Sequence, residues 1–264
     1  MFAPQFAASL RRSLLLAAGF APALLALAQS AAPTKVDDYV VTATRTPVAV
    51  NTLGSAVDTL SAADLARQQL TGLRSTLGLV PGAPAFASGG AGGSTSLFLR
   101  GTNSNQTLFL VDGIRFNDPN TDYAVTLGGA CVSACDSLEV AHGPQSTLYG
   151  GEAIGGVVSL RAQRGAGVTH GTVAVEAGSF GTVQGAVAAQ GGDAARAYSF
   201  SASGGHTDNA RANNDFDSAT YVLRLDRSLN DAVALGATWR GFNGVYGSPG
   251  PAIGWGANDP DNQD

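Results

Sequence analysis

Five stretches in the C-terminal part of the chain, TVAVEAG (172–178), TVQGAVAAQ (182–190), AYSFSAS (197–203), SATYVLRLDR (218–227) and DAVALGATWR (231–240), alternate apolar and polar residues. A two-residue period sorts the side chains of an extended backbone onto opposite faces. Val173, Val175 and Ala177 fall on one face, followed by Val183, Val187 and Ala189, then Tyr198, Phe200 and Ala202. The same face continues with Tyr221, Leu223 and Leu225, then Val233, Leu235 and Trp239. Thr172, Glu176, Gln184, Gln190, the serines at 199, 201 and 203, Arg224, Asp226 and Arg240 take the other face. A soluble sandwich with one wet face would show the same period. Small polar-face residues point instead to a transmembrane β-barrel wall, apolar outward and polar inward. Such a wall has to close, because a bilayer offers no water to an open sheet edge. A plugged transporter barrel has about 22 strands. Five are legible here, and GSPGPAIGWGANDPDNQD (247–264) reads as a loop. The expectation is the first part, 166–264, of a larger barrel.

The opposite end of the chain fits that reading. Arg11 and Arg12 precede an uncharged, mostly apolar run from Ser13 to Ala28, and Ala26-Leu27-Ala28 supplies a small-x-small site. Charge, apolar core and cleavage site together read as a signal peptide over 1–28. The run is at or below the length of a membrane span, and no basic stop-transfer cluster follows it. The formal net charge is −5, and no basic patch with interleaved aromatics occurs, so nucleic acid is not expected as a partner. Cys131 and Cys135 stand close together in CVSAC. In an oxidising compartment a disulfide between them would close a very small loop. Two thiols without a nearby His lack the ligand count of a zinc site, so no metal is expected.

Between these ends, 46–165 reads as a compact α+β domain. Ser61-Ala62-Ala63-Asp64 has the form of a helix N-cap, opening a short helix through Leu65 to Leu70. Leu73 to Leu79 continues as helix until Pro81-Gly82 stops it. A Gly- and Ser-rich loop over Ser88–Ser94 leads to strands at Leu97–Arg100 and Thr107–Val111. Asp112-Gly113 is a hairpin turn, with Ile114–Phe116 returning. Strands at Leu138–Ala141 and Val157–Leu160 close the domain.

The linker 29–45 carries DDYVVTATR (37–45). Val40, Val41 and Thr42 favour extended backbone. The Ala-, Thr- and Pro-rich surroundings offer no pairing partner. The segment therefore reads either as a free strand available for addition to another protein's sheet edge or as a tail with a chance Val-Val pair.

Leader, extended segment, α+β domain and barrel strands in this order resemble the TonB-dependent outer-membrane receptors. DDYVVTATR resembles their TonB box, FLRGTNSNQTLFLVDGIRFND (98–118) the middle of their plug domain, and SLEVAHGPQSTLYGGEAIGGVVSL (137–160) the end of it. The box and the FLRGTN…DGIRFN string look most like the cobalamin-receptor subgroup, although siderophore receptors share these phrases. The resemblance implies uptake of a scarce large nutrient, cobalamin or a ferric siderophore, across the bacterial outer membrane. The partners implied are outer-membrane lipid and TonB, which would pair with Asp37, Asp38, Tyr39, Val40, Val41, Thr42 and Ala43. No cofactor is implied. Plug residues that would face ligand by similarity are Ser94, Thr95 and Ser96 in one loop and Asn117, Asp118 and Asn120 in another. His142 stands where the family usually has Arg, which puts an ion pair to Glu139 or to a barrel carboxylate in question. Asp208, Asp215 and Asp217 in an extracellular loop over His206–Asp217 read as solvated acids rather than calcium ligands.

Other readings have less behind them. No Walker-type lysine follows the Gly89–Gly93 run. No G-x-S-x-G or H-E-x-x-H string occurs, so no enzyme is expected. A porin would have no use for the box or plug strings. A truncated plug-plus-stub product without transport activity is the remaining alternative.

Overall fold

A computed structural model describes residues 39–40, 42–67, 72–87, 95–117, 132, 135–211, 213–230 and 232–247. The leader lies outside the described residues.

The plug region begins with a two-stranded pair, β1 (Tyr39–Val40) and β2 (Val48–Ala49). Its main sheet holds β3 (Val57–Leu60), β6 (Thr107–Val111), β7 (Ile114–Arg115), β8 (Asp136–His142) and β9 (Gly156–Ala162). They lie in the order β3-β8-β9-β6-β7, with β6 parallel to β9 and the other pairs antiparallel. β4 (Ala85–Ala87) and β5 (Thr95–Leu97) form a separate pair. Helices α1 (Ala62–Arg67) and α2 (Leu73–Leu77) follow β3 in the chain, and α3 (Ser146–Tyr149) lies between β8 and β9.

Local chemistry explains these elements. The Ser61 backbone N–H and hydroxyl both donate to the Asp64 carboxylate, and the Asp64 N–H donates to Ser61 Oγ, so the expected cap starts α1. α2 ends sooner than expected, at Leu77, where Gly78 caps it. Asp112 and Gly113 both adopt positive φ, +50° and +85°, the geometry of the tight hairpin turn between β6 and β7. The strand expected at Leu97–Arg100 lies earlier, at Thr95–Leu97. Arg100 takes a φ of +51°, which no strand residue has.

Alternation along β6, β8 and β9 gives this sheet two packed faces. Phe109, Val111, Leu138, Val140, Val158 and Leu160 meet Leu65, Leu73 and Leu77 of the helices in one core. Leu108, Leu110 and Val157 form a second cluster with Ala153 and Tyr149. Each fully buried Leu, Val or Phe contributes about 1.5–3 kcal/mol relative to exposure. These cores fix the sheet on which the N-terminal segment rests.

The five alternating stretches become β10 (Gly167–Ala177), β11 (Val183–Gly192), β12 (Arg196–Thr207), β13 (Phe216–Ser228) and β14 (Ala234–Tyr246), paired antiparallel in chain order. The register aligns Val173, Val187, Ala202, Tyr221 and Gly241 in one row, so the apolar residues share the outer face. Val173 is 78% exposed and Trp239 62%, so this apolar face is left uncovered by the described residues. Tyr221 lies across Gly241, whose missing Cβ leaves room for the ring, and stacks on Trp239 with centroids 4.6 Å apart. The turns after β11 and β13 are tight, held by Asp193 Oδ1 and Asn230 Oδ1 accepting backbone N–H groups two and three residues on. The 208–215 connection at the other end is longer, as in outer-membrane barrels with short periplasmic turns. His206 and Thr207 belong to β12, and Phe216 and Asp217 to β13, so the loop is shorter than expected. His206 pairs with both Asp208 and Asp217.

The inner face is not uniformly polar. Val222 is buried, and Phe242 of β14 packs against the plug's main core. Plug and wall meet through apolar side chains as well as polar ones.

Candidate functional site: the seat of the N-terminal segment

β1 is not a free strand. Tyr39 pairs with Ala49 and Val40 with Val48 across the turns of 42–47. The expectation of an unpartnered segment overlooked a hairpin, because Val48 and Ala49 are two residues of strand behind a proline at 47. Pro47 fixes its own φ but leaves the following residues free to extend. Asp37, Asp38 and Val41 lie outside the described residues.

Just beyond β1 the chain is gripped by side chains. Thr42 is 2% exposed. Its backbone N–H donates to Glu139 Oε2 at 2.8 Å and its hydroxyl donates to the same oxygen at 2.5 Å. Tyr149 Oη donates to the Thr42 carbonyl at 2.8 Å. The residue is therefore satisfied at N–H, hydroxyl and C=O by two plug side chains from distant parts of the sequence. Arg45 lies over the Tyr149 ring, 4.6 Å from its centroid, within cation–π range. Ala43 is buried beside it.

The seat is fixed from behind. Glu139 is the middle residue of β8 and points to the face opposite Leu138 and Val140. Tyr149 ends α3, where Arg115 of β7 donates to its carbonyl at 2.9 Å and to Glu152 at 3.0 Å. Two strands of the main sheet, β8 and β7, and one helix thus set the two groups that hold Thr42.

His142 at the end of β8 also departs from expectation. Its partner is neither Glu139 nor a barrel residue but Asp58 of the adjacent β3, with Nε2 2.7 Å from Oδ2. A carboxylate accepts only, so Nε2 carries the proton. Nδ1 is buried with no hydrogen-bond partner among the described residues. The pair pins the edge strand β3 to β8.

The residues expected to face ligand are placed unevenly. Thr95 and Ser96 are buried in β5 rather than displayed on a loop. Pairing with Phe86 and Ala87 draws them into a strand. Asn117 uses its amide to bind β6, accepting the Phe109 N–H at 2.7 Å and donating to the Thr107 carbonyl at 2.9 Å. Ser94, Asp118 and Asn120 lie outside the described residues, as does Cys131. Cys135 is buried, with its Sγ 3.5 Å from the Phe200 carbonyl of β12. Tyr149 was not singled out from sequence, and Glu139 only as a possible partner of His142. Their signal lay inside the SLEVAHGPQSTLYGG string, but nothing local tells which of its residues face Thr42.

Comparison with known proteins agrees with this architecture. Residues 49–157 match the family described as the TonB-dependent receptor plug domain. The chain is similar in fold to the pyoverdine outer-membrane receptor of Pseudomonas aeruginosa PAO1, with a TM-score of 0.68 and 16% identity, over 80% of this chain and 31% of that one. It is similar to the ferric yersiniabactin uptake receptor of Yersinia pestis, with TM-score 0.57 and 18% identity, over 73% of this chain and 32% of that one. The ferric-catecholate import receptor of E. coli K12 matches with TM-score 0.57 and 20% identity, over 74% of this chain and 28% of that one. The chain thus spans about a third of the length of the solved structures it resembles. It has an α+β plug followed by the first antiparallel strands of such a barrel, a fold of the bacterial outer membrane.

Proposed function

We propose, on the premise that residues 49–157 are a TonB-dependent receptor plug domain set against the first strands of its barrel, that the chain is the gate and part of the wall of an energised outer-membrane importer. The observation that carries this reading is the seat of Thr42: the strand next to it is parked on the plug by groups a pull could release. TonB would take Asp37–Ala43 as an added strand, competing with β2 for the same backbone edge. An outer membrane holds no nucleotide supply, so work would reach the plug through that strand. A ferric siderophore is the cargo this reading favours, because the solved proteins of like fold are named for pyoverdine, yersiniabactin and catecholate uptake. Cobalamin is the second reading, favoured by the wording of DDYVVTATR and FLRGTN…DGIRFN. With Thr95, Ser96 and Asn117 engaged inside the plug, contact with cargo would fall mainly to Ser94, Asp118 and Asn120.

The test is a Val40→Pro change in the native outer-membrane protein. It removes a backbone donor from the strand and should abolish accumulation of cargo while leaving equilibrium binding intact. Binding of ferric pyoverdine, a ferric catecholate and cyanocobalamin to isolated outer membranes separates the two cargo readings. Accumulation that survives Val40→Pro would refute the strand-addition step.

A further inference from the structure

Among the described residues, the wall reaches into the plug with charged side chains. Arg240 sits on the inner face of β14, and its side chain is 16% exposed. Nη2 and Nη1 donate to Asp136 Oδ1 and Oδ2 at 2.6 and 3.1 Å, a two-pronged contact. Nε donates to Asp112 Oδ2 at 2.9 Å. Asp136 is fully buried at the start of β8, and Asp112 occupies the β6–β7 turn. One guanidinium thus ties two separate plug elements to one barrel strand.

The neighbourhood extends the tie. Asp112 Oδ1 accepts the Ala162 N–H at 2.7 Å, and its own N–H donates to the Leu160 carbonyl at 2.8 Å. Arg224 of β13 donates to the Ala162 carbonyl at 2.6 Å. Ser199 of β12 donates to the Gln163 carbonyl at 2.7 Å. The end of β9 is therefore held directly by β12 and β13, and by β14 through Asp112. A planar guanidinium grips one carboxylate with two parallel bonds and keeps a further N–H for a second, a fixed fork that an ammonium lacks. Breaking such a buried pair from one side leaves an uncompensated charge.

These contacts all lie at the Asp112, Asp136 and Ala162 end of the sheet. The seat of Thr42 uses other side chains, Glu139 further along β8 and Tyr149 of α3, and β3, the strand closest to the N-terminus in that sheet, is at its edge. We infer that Arg240, with Asp112 and Asp136, is a retention lock that keeps the 107–162 part of the plug on the barrel wall while the N-terminal segment is drawn away. The inference rests on the strand-pulling reading above. Arg240 is a positioning residue here.

The experiment uses the protein in and from its native outer membrane, with Arg240→Met and Arg240→Lys. Amide hydrogen exchange of detergent-purified protein tests the lock with no TonB present. Arg240→Met should speed exchange at Asp112, Asp136 and Ala162 at least tenfold, leave the β12–β13 amides unchanged, and be partly rescued by Arg240→Lys. Unchanged exchange at the three plug amides overturns the lock. Should Arg240→Met fail to insert, Asp112→Asn decides, since it keeps the turn and the Ala162 contact but removes one charge. In cells, entry of vancomycin tests retention: Arg240→Met should admit it only when TonB is present. Exclusion equal to the parent, or entry equal with and without TonB, overturns retention under pull. A failure of the strand-pulling reading shows separately, as uptake by the parent that ignores TonB, and leaves the exchange result standing.

Discussion

Removing the Glu139 carboxylate should free the N-terminal hairpin. In Glu139→Ala, Thr42 loses acceptors for both its N–H and its hydroxyl, now at 2.8 and 2.5 Å from one oxygen. A hydrogen bond to a charged group contributes about 1.5–3 kcal/mol, and a buried orphaned donor costs about 1–3 kcal/mol. The two bonds share one oxygen and so do not add in full, which puts the loss at about 3 kcal/mol. At 1.4 kcal/mol per factor of ten, the detached population rises roughly 100-fold. Glu139→Gln keeps an acceptor and loses the charge, for roughly a 10-fold rise. Thr42→Val removes only the hydroxyl bond and leaves every other contact of Glu139 in place, which isolates the Thr42 contribution. Amide hydrogen exchange over Tyr39–Val40 and Val48–Ala49 reads the detachment, because so short a pair does not persist once it leaves the plug. Exchange in Glu139→Ala within about twofold of the parent would mean that the carboxylate does not hold the segment, and the seat would have to be abandoned.

Three further outcomes are expected. Tyr149→Phe loses the 2.8 Å bond to the Thr42 carbonyl but keeps the ring under Arg45; a loss of about 1 kcal/mol should raise hairpin exchange less than Glu139→Ala does, and a double-mutant cycle with Thr42→Val should show coupling. Gly241→Val would drive a Cβ into the Tyr221 ring, whose nearest atom stands 2.0 Å from that position; the ring must swing off Trp239, so tryptophan emission should shift and thermal stability should fall, and Tyr221→Ala in the same chain should restore much of the stability. The Asp64 carboxyl titrates below its ordinary value of 3.8, chiefly because the Ser61 hydroxyl and then the Ser61 N–H donate to it, with Arg67 adding attraction. A depressed carboxylate stabilises the fold above its unfolded pKa and loses that contribution as pH falls through its folded value, so α1 amides should lose protection as pH falls below 3.8 in the parent and show no such step in Asp64→Asn.

Where the physics is local, the sequence was readable. Period-two alternation placed β10–β14 because successive residues of a strand take opposite faces, one apolar and exposed, the other turned toward the plug. Asp112-Gly113 announced its turn because few other residues tolerate positive φ at both positions. Ser61 and Asp64 announced a helix start for equally local reasons. What stayed hidden depends on residues far apart in the chain. Thr42 meets Glu139 across 97 positions, and nothing near either residue signals it. Thr95 and Ser96 looked like loop residues because their partner strand, Ala85–Ala87, is three small or aromatic residues with no alternation to reveal it. Val222 and Phe242 fell on the face expected to be polar, since a wall that encloses a plug answers to that plug's apolar surface as well as to water. His142 found Asp58 only through the β3–β8 register.

Asp112 meets four demands at once. It adopts φ of +50° in a two-residue turn, donates its N–H to Leu160, accepts the N–H of Ala162, and faces the guanidinium of Arg240. Asn tolerates the backbone and can accept from Ala162, yet carries no charge; Glu carries the charge on a stem one methylene too long for the turn; Gly suits the turn and offers nothing else. In a saturation library selected for folded protein, this site should accept almost no other residue, while Gly113 beside it is constrained by backbone shape alone. A change at Asp112 that does survive should arrive with a compensating change at position 240, so the turn and a distant barrel strand would drift through sequence space as one unit.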